Sequence, residues 1–418
     1  MDEASIGPLL RRLRLAAGRS QSEQADVLAE VAGRPVTRHE VSRWENEGRL
    51  ITPFWQAHYA TSYSVPVVQL RRAVAVSKAR RRLQQAEQSD GEDGVQRRQF
   101  IGTMAGLAAS VPAVLQAAVG RRLSQADAQQ LLHRTARLRR LDDYLGGADT
   151  YQLYAAELTA TTALIRDASY AEATGRAQLA VLAEQAQLAG WAAFDAGLQT
   201  EAKQHYLTSL SAARDAGSAT LAGNSLAFLA YQQVSTTRPS IELATASYET
   251  AKHDASPRVR ALLLERLAWT HAVAGNPTET DRALAQATEA ISQAGTTPEP
   301  DWVFWVDDQE IQIMAGRCWT ELHRPLRAVP TLEAVLDRYA DTHARDKALY
   351  LTWLAHAYLD AHEIERAAEV AGRAIDLATG VASVRPAARI GKVIQRLQPQ
   401  RRVPAAAAVI DRFEGRDR

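Results

Sequence analysis

Thr37-Arg38-His39-Glu40-Val41-Ser42-Arg43-Trp44-Glu45 is the stretch that decides how the first part of the chain is read. Thr37 is a helix-capping residue type, and Val41 and Trp44, three positions apart, mark one apolar side of a helix from Thr37 to Glu45. Arg38, His39, Ser42 and Arg43 then fall on the opposite side. Upstream, Ile6, Leu9, Leu10, Leu13 and Ala17 follow helical spacing, and Gly18 is a C-terminal stop, so a first helix is predicted there. Ser20 is expected to cap a second helix carrying Gln21, Ala25, Leu28 and Ala29, with Glu23 where a capping-box acid belongs and Gly33-Arg34-Pro35 ending it. Downstream, Trp55, Tyr59, Tyr63 and Val65-Pro66 predict a fourth and a fifth helix that complete a small core near Leu70.

The outward side of the helix at 37–45 carries groups suited to DNA. The N-terminal end of such a helix fits the major groove, where Arg pairs bidentately with guanine O6/N7 and small hydroxyls meet base edges or phosphates. Helix-terminal amides favour phosphates as well. The pattern Arg14…Gly18-x-Ser20-Gln21-x-x-Gln24-Ala25…Val41-Ser42-x-Trp44-Glu45…Gly48-Arg49…Pro53 resembles the phage-repressor (Cro/cI, or XRE) helix-turn-helix family. That resemblance implies a five-helix lambda-repressor-like domain over 1–75, with the third helix as recognition helix. It also implies Gln21 beside the DNA backbone and an Arg14–Glu45 pair clamping helix one to helix three. The candidate contacts to double-stranded DNA are therefore Gln21, Thr37, Arg38, His39, Ser42, Arg43 and Arg49. Two departures leave the groove angle open: the Val31 to Val36 connection is longer than the family's tight turn, and Glu45 to Pro53 holds about two extra residues. His39 has no Cys or second His beside it and is a poor metal ligand.

At 418 residues the chain suits two or three domains. With 46% hydrophobic and 23% charged residues it is globular in type, and an alanine-rich text with 6 Phe favours helices. One cysteine, Cys318, excludes an intramolecular disulfide and a multi-cysteine zinc site; it reads as a buried core thiol in a reducing compartment. No charged-then-apolar signal opens the chain, so a cytoplasmic protein is expected. The net charge of +1 conceals an asymmetry: residues 1–83 hold 14 Lys or Arg against 8 Asp or Glu, so +6 there leaves −5 for the rest. A positive module on a mildly acidic body suits a phosphate-contacting head with a separate sensor.

Residues 76–120 read as a basic and polar linker with a connecting helix. Arg71-Arg72 and Lys78-Ala79-Arg80-Arg81-Arg82 form a basic helix tail, and the polar run Gln84 to Gly94 forms a hinge. Arg97-Arg98-Gln99-Phe100-Ile101 and the apolar stretch to Val119 imitate an export signal or a membrane anchor. An internal segment rich in Ala and Gly and broken by Pro112 and Gln116 inserts poorly, so a buried connecting helix is expected and no membrane partner.

From 121 to 400 the text is helical pairs separated by turns, with a tail at 401–418. Gly190-Trp191…Gly197…Ala202…Tyr206…Ser209 returns as Gly316…Trp319…His323…Ala328…Leu332…Val335 and as Ala355…Tyr358…His362-Glu363…Ala367…Ala371…Ala374. Looser copies lie at Ala227…Pro239…Ala244…Tyr248…Ala251 and Ala268…Gly275-Asn276…Leu284…Ala287. These blocks resemble tetratricopeptide repeats, which implies an all-α fold of five to seven helical pairs in a right-handed solenoid whose concave face holds a ligand or a protein segment. Asn224, inside an alanine-rich helix, is either a ligand-reaching amide or the N-cap of a helix starting later. The aromatic and acidic run Asp301 to Glu310, with Arg317 after it, is the second candidate, although Trp302 and Trp305 are most simply core. The ligand-binding candidates are Asn224, Tyr231, Trp269, Trp305, Asp308 and Arg317. No Gly-rich phosphate loop, HExxH, nucleophile elbow or metal quartet is present, so neither an enzyme nor a cofactor or metal is expected. As a whole the chain resembles bacterial helix-turn-helix/tetratricopeptide regulators, including the peptide-sensing regulators of quorum systems. The resemblance implies a homodimer on a pseudo-palindromic operator and a peptide or small-molecule effector. The alternative is a scaffold whose repeats hold a protein partner while the head only localises it.

Overall fold

Alanine-rich helical periodicity dominates the chain, and among the described residues every regular element of the computed structural model is helical, apart from one isolated backbone bridge between Arg122 and Ser169. The structure describes residues 5–77, except 68, 72 and 75, and residues 122–415, except 143, 144, 237, 238, 296, 342 and 380. The connector from Lys78 through Val119, with its expected hinge and buried helix, lies outside the described residues. Contacts divide the chain into two compact units, Met1–Ala117 and Ala118–Arg418.

In the first unit, α1 (Ile6–Ala16) gives way to Gly18 at φ +66°, a left-handed conformation that suits glycine. α2 (Gln21–Ala32) opens with a full capping box in which Ser20 accepts from the Glu23 amide and Glu23 accepts from that of Ser20, and it closes at Gly33, again left-handed. α3 (Arg38–Glu45) has the same device, built from Thr37 and Glu40. α4 (Pro53–Tyr63) follows, with proline in its first turn, where a missing amide costs nothing. Leu10, Leu28, Val41, Trp44 and Tyr59 form the core, the Trp44 ring lying 5.0 Å from Trp55 and 5.8 Å from Tyr59. Residues 67, 69–71, 73, 74, 76 and 77 are helical, past the limits expected at Leu70 and residue 75. Ser77 is integral to this unit: its Oγ accepts from the Ile6 amide at 2.9 Å and sits 2.9 Å from Glu47 Oε1.

The second unit runs α5 (Gln125–Arg139), α6 (Gly147–Asp167), α7 (Glu172–Asp195), α8 (Gln199–Asp215), α9 (Ala219–Thr236), α10 (Ile241–Ala251), α11 (Pro257–Val273) and α12 (Pro277–Ser292). A 3-10 turn at Asp301–Val303 precedes α13 (Asp308–Glu321), α14 (Pro325–Leu336), α15 (Ala344–Asp360), α16 (Ile364–Ala378), α17 (Val384–Leu397) and α18 (Pro404–Glu414). From α6 onward each helix packs on its successor, and α7, α9, α11, α13, α15 and α17 also pack on one another in order, forming one continuous row. The residues expected to be a loose tail instead hold α18, which buries Ala406, Val409 and Ile410 against α16 and α17.

The repeated blocks fall on equivalent places in these pairs. Gly190, Ala268, Gly316 and Ala355 lie near the ends of α7, α11, α13 and α15, and the turn residue seven positions on, Gly197, Gly275, His323 or His362, has positive φ each time. Twelve positions on, Ala202, Thr280, Ala328 and Ala367 are fully buried. Absence of a side chain has a packing reason here: a Cβ on Gly190 would stand 2.5 Å from the Tyr206 ring, and one on Gly316 2.5 Å from Leu332.

The two ends of the array meet. The Ala148 amide donates to the Ala382 carbonyl at 3.0 Å, and Asp195, fully buried, accepts from the Gly147 amide and from Ser383 Oγ, each at 2.8 Å. Arg345 adds a bidentate pair to Asp142 at 2.9 and 3.0 Å. The approach requires glycine, since a Cβ on Gly146 would lie 2.1 Å from the Ala382 oxygen and one on Gly147 2.2 Å from that of Ala192. Gly146→Ala is expected to destabilise the C-terminal unit by about 1–3 kcal/mol through this overlap. Gly372→Ala, on an open helix face, is expected to be neutral or stabilising; thermal melts of the two full-length variants in which Gly146→Ala is not the less stable would contradict the closure.

Candidate functional site

Two places gather the residues singled out by sequence. The first is the outer face of α3. Its capping box fixes the first turn, and Val41, Trp44 and Glu45 are buried on the inner side. Thr37, Arg38, His39 and Arg43 are exposed, Ser42 is half-buried, and Arg49 is exposed just beyond the helix. Among the described residues the side chains of Arg38, His39, Arg43 and Arg49 make no hydrogen bond or ion pair, so their donors face solvent together.

Beneath that face lies the expected clamp. Arg14 Nε donates to Glu45 Oε1 at 2.6 Å and Nη2 to Oε2 at 2.9 Å, while Nη1 reaches the Arg19 carbonyl at 2.8 Å. The pair is nearly dry, at 10% and 3% side-chain exposure. Gln21, expected beside a DNA backbone, has its Nε2 donating to Glu45 Oε2 at 3.0 Å, so its amide belongs to the clamp network.

The second place is a partly open cavity of about 480 Å³ along the inner row of the C-terminal unit. Of the candidates, Asn224, Tyr231, Trp305 and Arg317 line it. Trp269 and Asp308 do not: Trp269 packs behind Arg317, 4.5 Å from its guanidinium carbon, and Asp308 is exposed on the first turn of α13, where its neighbour Asp307 both caps the helix and faces the cavity. Asn224 lies well inside α9, which overturns the N-cap alternative; its Nδ2 donates to Gln187 Oε1 at 2.8 Å. Trp302 and Trp305 are wall residues as well as packing residues. Sequence reasoning did not single out Gln187, Trp191, Arg266 or Arg385 as ligand contacts and named Glu310 only as the end of the Asp301–Glu310 run; no local pattern sets them apart from other polar or aromatic residues on these helices.

Charges in the wall are unevenly matched. Arg139 is held by Glu184 and Asp301, and Arg345 by Asp142 and Asp346. Arg317, only 2% exposed, has no carboxylate at salt-bridge distance among the described residues; it is stacked between Trp269 and Trp353 and donates from Nη2 to the Tyr231 hydroxyl at 2.9 Å. Its Nε has no partner. Arg385 donates to the same hydroxyl at 3.1 Å, and Arg266 lies 4.5 Å over the Tyr231 ring. Burial raises the Tyr231 phenol, but the positive charges of Arg317, Arg385 and Arg266 outweigh it and bring the group down to about 8. Burial pushes Glu265 and Glu310 upward, so the nearest carboxylates are weak counterions. The thiol of Cys318 is buried and pushed up by desolvation. Among the described residues no group of three His, Cys, Asp or Glu is placed to hold a metal, and no helix is long and apolar enough to cross a membrane.

No protein-family model and no curated protein matches this chain.

Two outcomes are expected from these sites. In the full-length chain, Glu45→Ala leaves the Arg14 guanidinium buried without its partner, a loss of about 3–5 kcal/mol. Amide exchange in α1 and α3 should then speed up by about two to three orders of magnitude while α5 to α18 are unaffected; unchanged exchange would refute the clamp. Separately, tyrosinate absorbance should show one phenol ionising near pH 8 that Tyr231→Phe removes. Because the folded value lies below the ordinary 10, stability from this group grows as pH rises from about 8 towards 10 and is absent below it.

Proposed function

We propose that this chain is a sequence-specific DNA-binding transcriptional regulator, with a lambda-repressor-like helix-turn-helix head and a tetratricopeptide-like body that senses a small effector. One observation carries the reading: α3 presents Arg38, His39 and Arg43 outward from a helix locked on its other side by Val41, Trp44 and the Arg14–Glu45 pair. A short helix of this kind, rigid and cationic on one face, has the dimensions and donors that major-groove readout requires. The excess of Lys and Arg in residues 1–83 supports the same reading through phosphate attraction.

The sensing half is supported by the cavity, by its buried cations and by the regular spacing of small and turn residues along the helix pairs. A homodimer reading two half-sites follows from the head's family resemblance and is part of the proposal. Gln21 acts in this scheme by fixing Glu45, while Arg38, Arg43 and Ser42 read bases and Arg49 and His39 approach phosphates.

Selection of bound fragments from genomic DNA, followed by fluorescence anisotropy with the enriched sequence, tests the head. Each groove contact is worth about 1–3 kcal/mol, so the Arg38→Ala/Arg43→Ala double variant should lose at least about 30-fold in affinity. Its melting temperature should match the parent, because both side chains are exposed. Equal affinity of variant and parent would sink the recognition-helix assignment.

A further inference from the structure

The end-to-end closure changes what the concave row can hold. An open solenoid offers a groove along which an extended peptide runs. Here the contacts of Ala148 with Ala382, of Asp195 with Ser383 and of Asp142 with Arg345 join the ends of that row, and Asp142 and Arg345 also line a cavity that stays partly open to solvent. Its volume of about 480 Å³ lies in the range of small-molecule pockets, roughly 300–1,000 Å³.

The wall chemistry narrows the class further. Aromatic faces of Trp191, Phe228 and Trp305 line one part of the cavity, and Arg317 and Arg385 converge on a single neutral oxygen, that of Tyr231. A buried guanidinium normally takes a carboxylate; Arg317 takes a phenol and leaves its Nε unpartnered. Arg385 has the Asp195 carboxylate at 3.5 Å, whereas Arg317 has none among the described residues; of the wall acids, Asp142 and Asp346 pair with Arg345, Glu184 pairs with Arg139, Asp307 caps α13 and Glu310 accepts from the Tyr350 hydroxyl. We propose that the cavity binds a small organic carboxylate with a flat apolar body, its acid seated between Arg317 and Arg385 beside Tyr231 and its ring among Trp191, Phe228 and Trp305. The bound acid supplies the counterion that Arg317 lacks, with charge-assisted hydrogen bonds stronger than neutral ones. This deepens the sensing half of the function proposed above, and it is measured without DNA, so a chain that ignores every operator can still pass or fail it.

The probes are 1-naphthoate and its uncharged isostere 1-naphthamide, titrated calorimetrically into the full-length chain at neutral pH. Naphthoate should bind at least about tenfold tighter, since hydrogen bonds to a charged partner contribute about 1.5–3 kcal/mol. Arg317→Met, similar in length and uncharged, should cut naphthoate's advantage at least several-fold, with Arg385 keeping the remainder. Should that variant not fold, Tyr231→Phe keeps the ring and removes the oxygen that now occupies both guanidinium groups, and it should tighten naphthoate while leaving naphthamide unchanged. The proposal is overturned by equal binding of the two probes, by a preference for the amide, by no binding of either, by an undiminished preference in Arg317→Met, or by weaker naphthoate binding in Tyr231→Phe.

Discussion

Asp195 is the point on which the C-terminal unit turns. Its carboxylate is fully buried and accepts from a backbone amide at the start of α6 and from a hydroxyl just before α17, with Arg385 and Arg345 at 3.5 and 3.9 Å. A buried carboxylate is tolerable only when its lone pairs are used and a cation stands near, and both conditions here are met by residues far apart in sequence. The same contacts that make the charge tolerable join the ends of the array beside the cavity. Everything said of the cavity's walls presupposes that join.

The N-terminal unit rests on a similar device at smaller scale. Arg14 and Glu45 are almost dry, and the bidentate geometry with Gln21 and the Arg19 carbonyl satisfies nearly every donor and acceptor they own. Such a pair adds little net stability compared with apolar packing, but it fixes the angle at which α3 leaves the core. The aromatic contacts of Trp44 with Trp55 and Tyr59 supply the burial that the ion pair does not.

How much was legible in the sequence follows from the range of the interactions. Caps and stops are local, so Ser20, Glu23, Gly18, Gly33 and Thr37 announced the head's helices to within a residue or two. The repeats were legible for the same reason: Gly190 and Tyr206, or Gly316 and Leu332, meet within one helix pair. The closure was not, because Gly146 and Ala382 are linked by no periodicity, and a Gly-Gly pair reads equally well as a turn. Among the cavity candidates, Tyr231 and Arg317 were found because aromatic and cationic residues stand out in an alanine-rich text. Trp269 and Asp308 were misplaced because residues one helical position apart face different ways, and the sequence does not say which one points inward. The helix in the tail was legible as well, in Pro404 followed by four alanines and in the helical spacing of Ala406, Val409 and Ile410, the face that packs on α16 and α17.

Closure also bears on how such a chain can change over time. An open stack of helix pairs tolerates gain or loss of a pair, since each unit touches only its neighbours. Inserting one pair between α7 and α17 would carry Ser383 out of reach of Asp195 and Ala382 away from Ala148. The number of pairs is thereby tied to the geometry of the join, a constraint that an open stack does not carry.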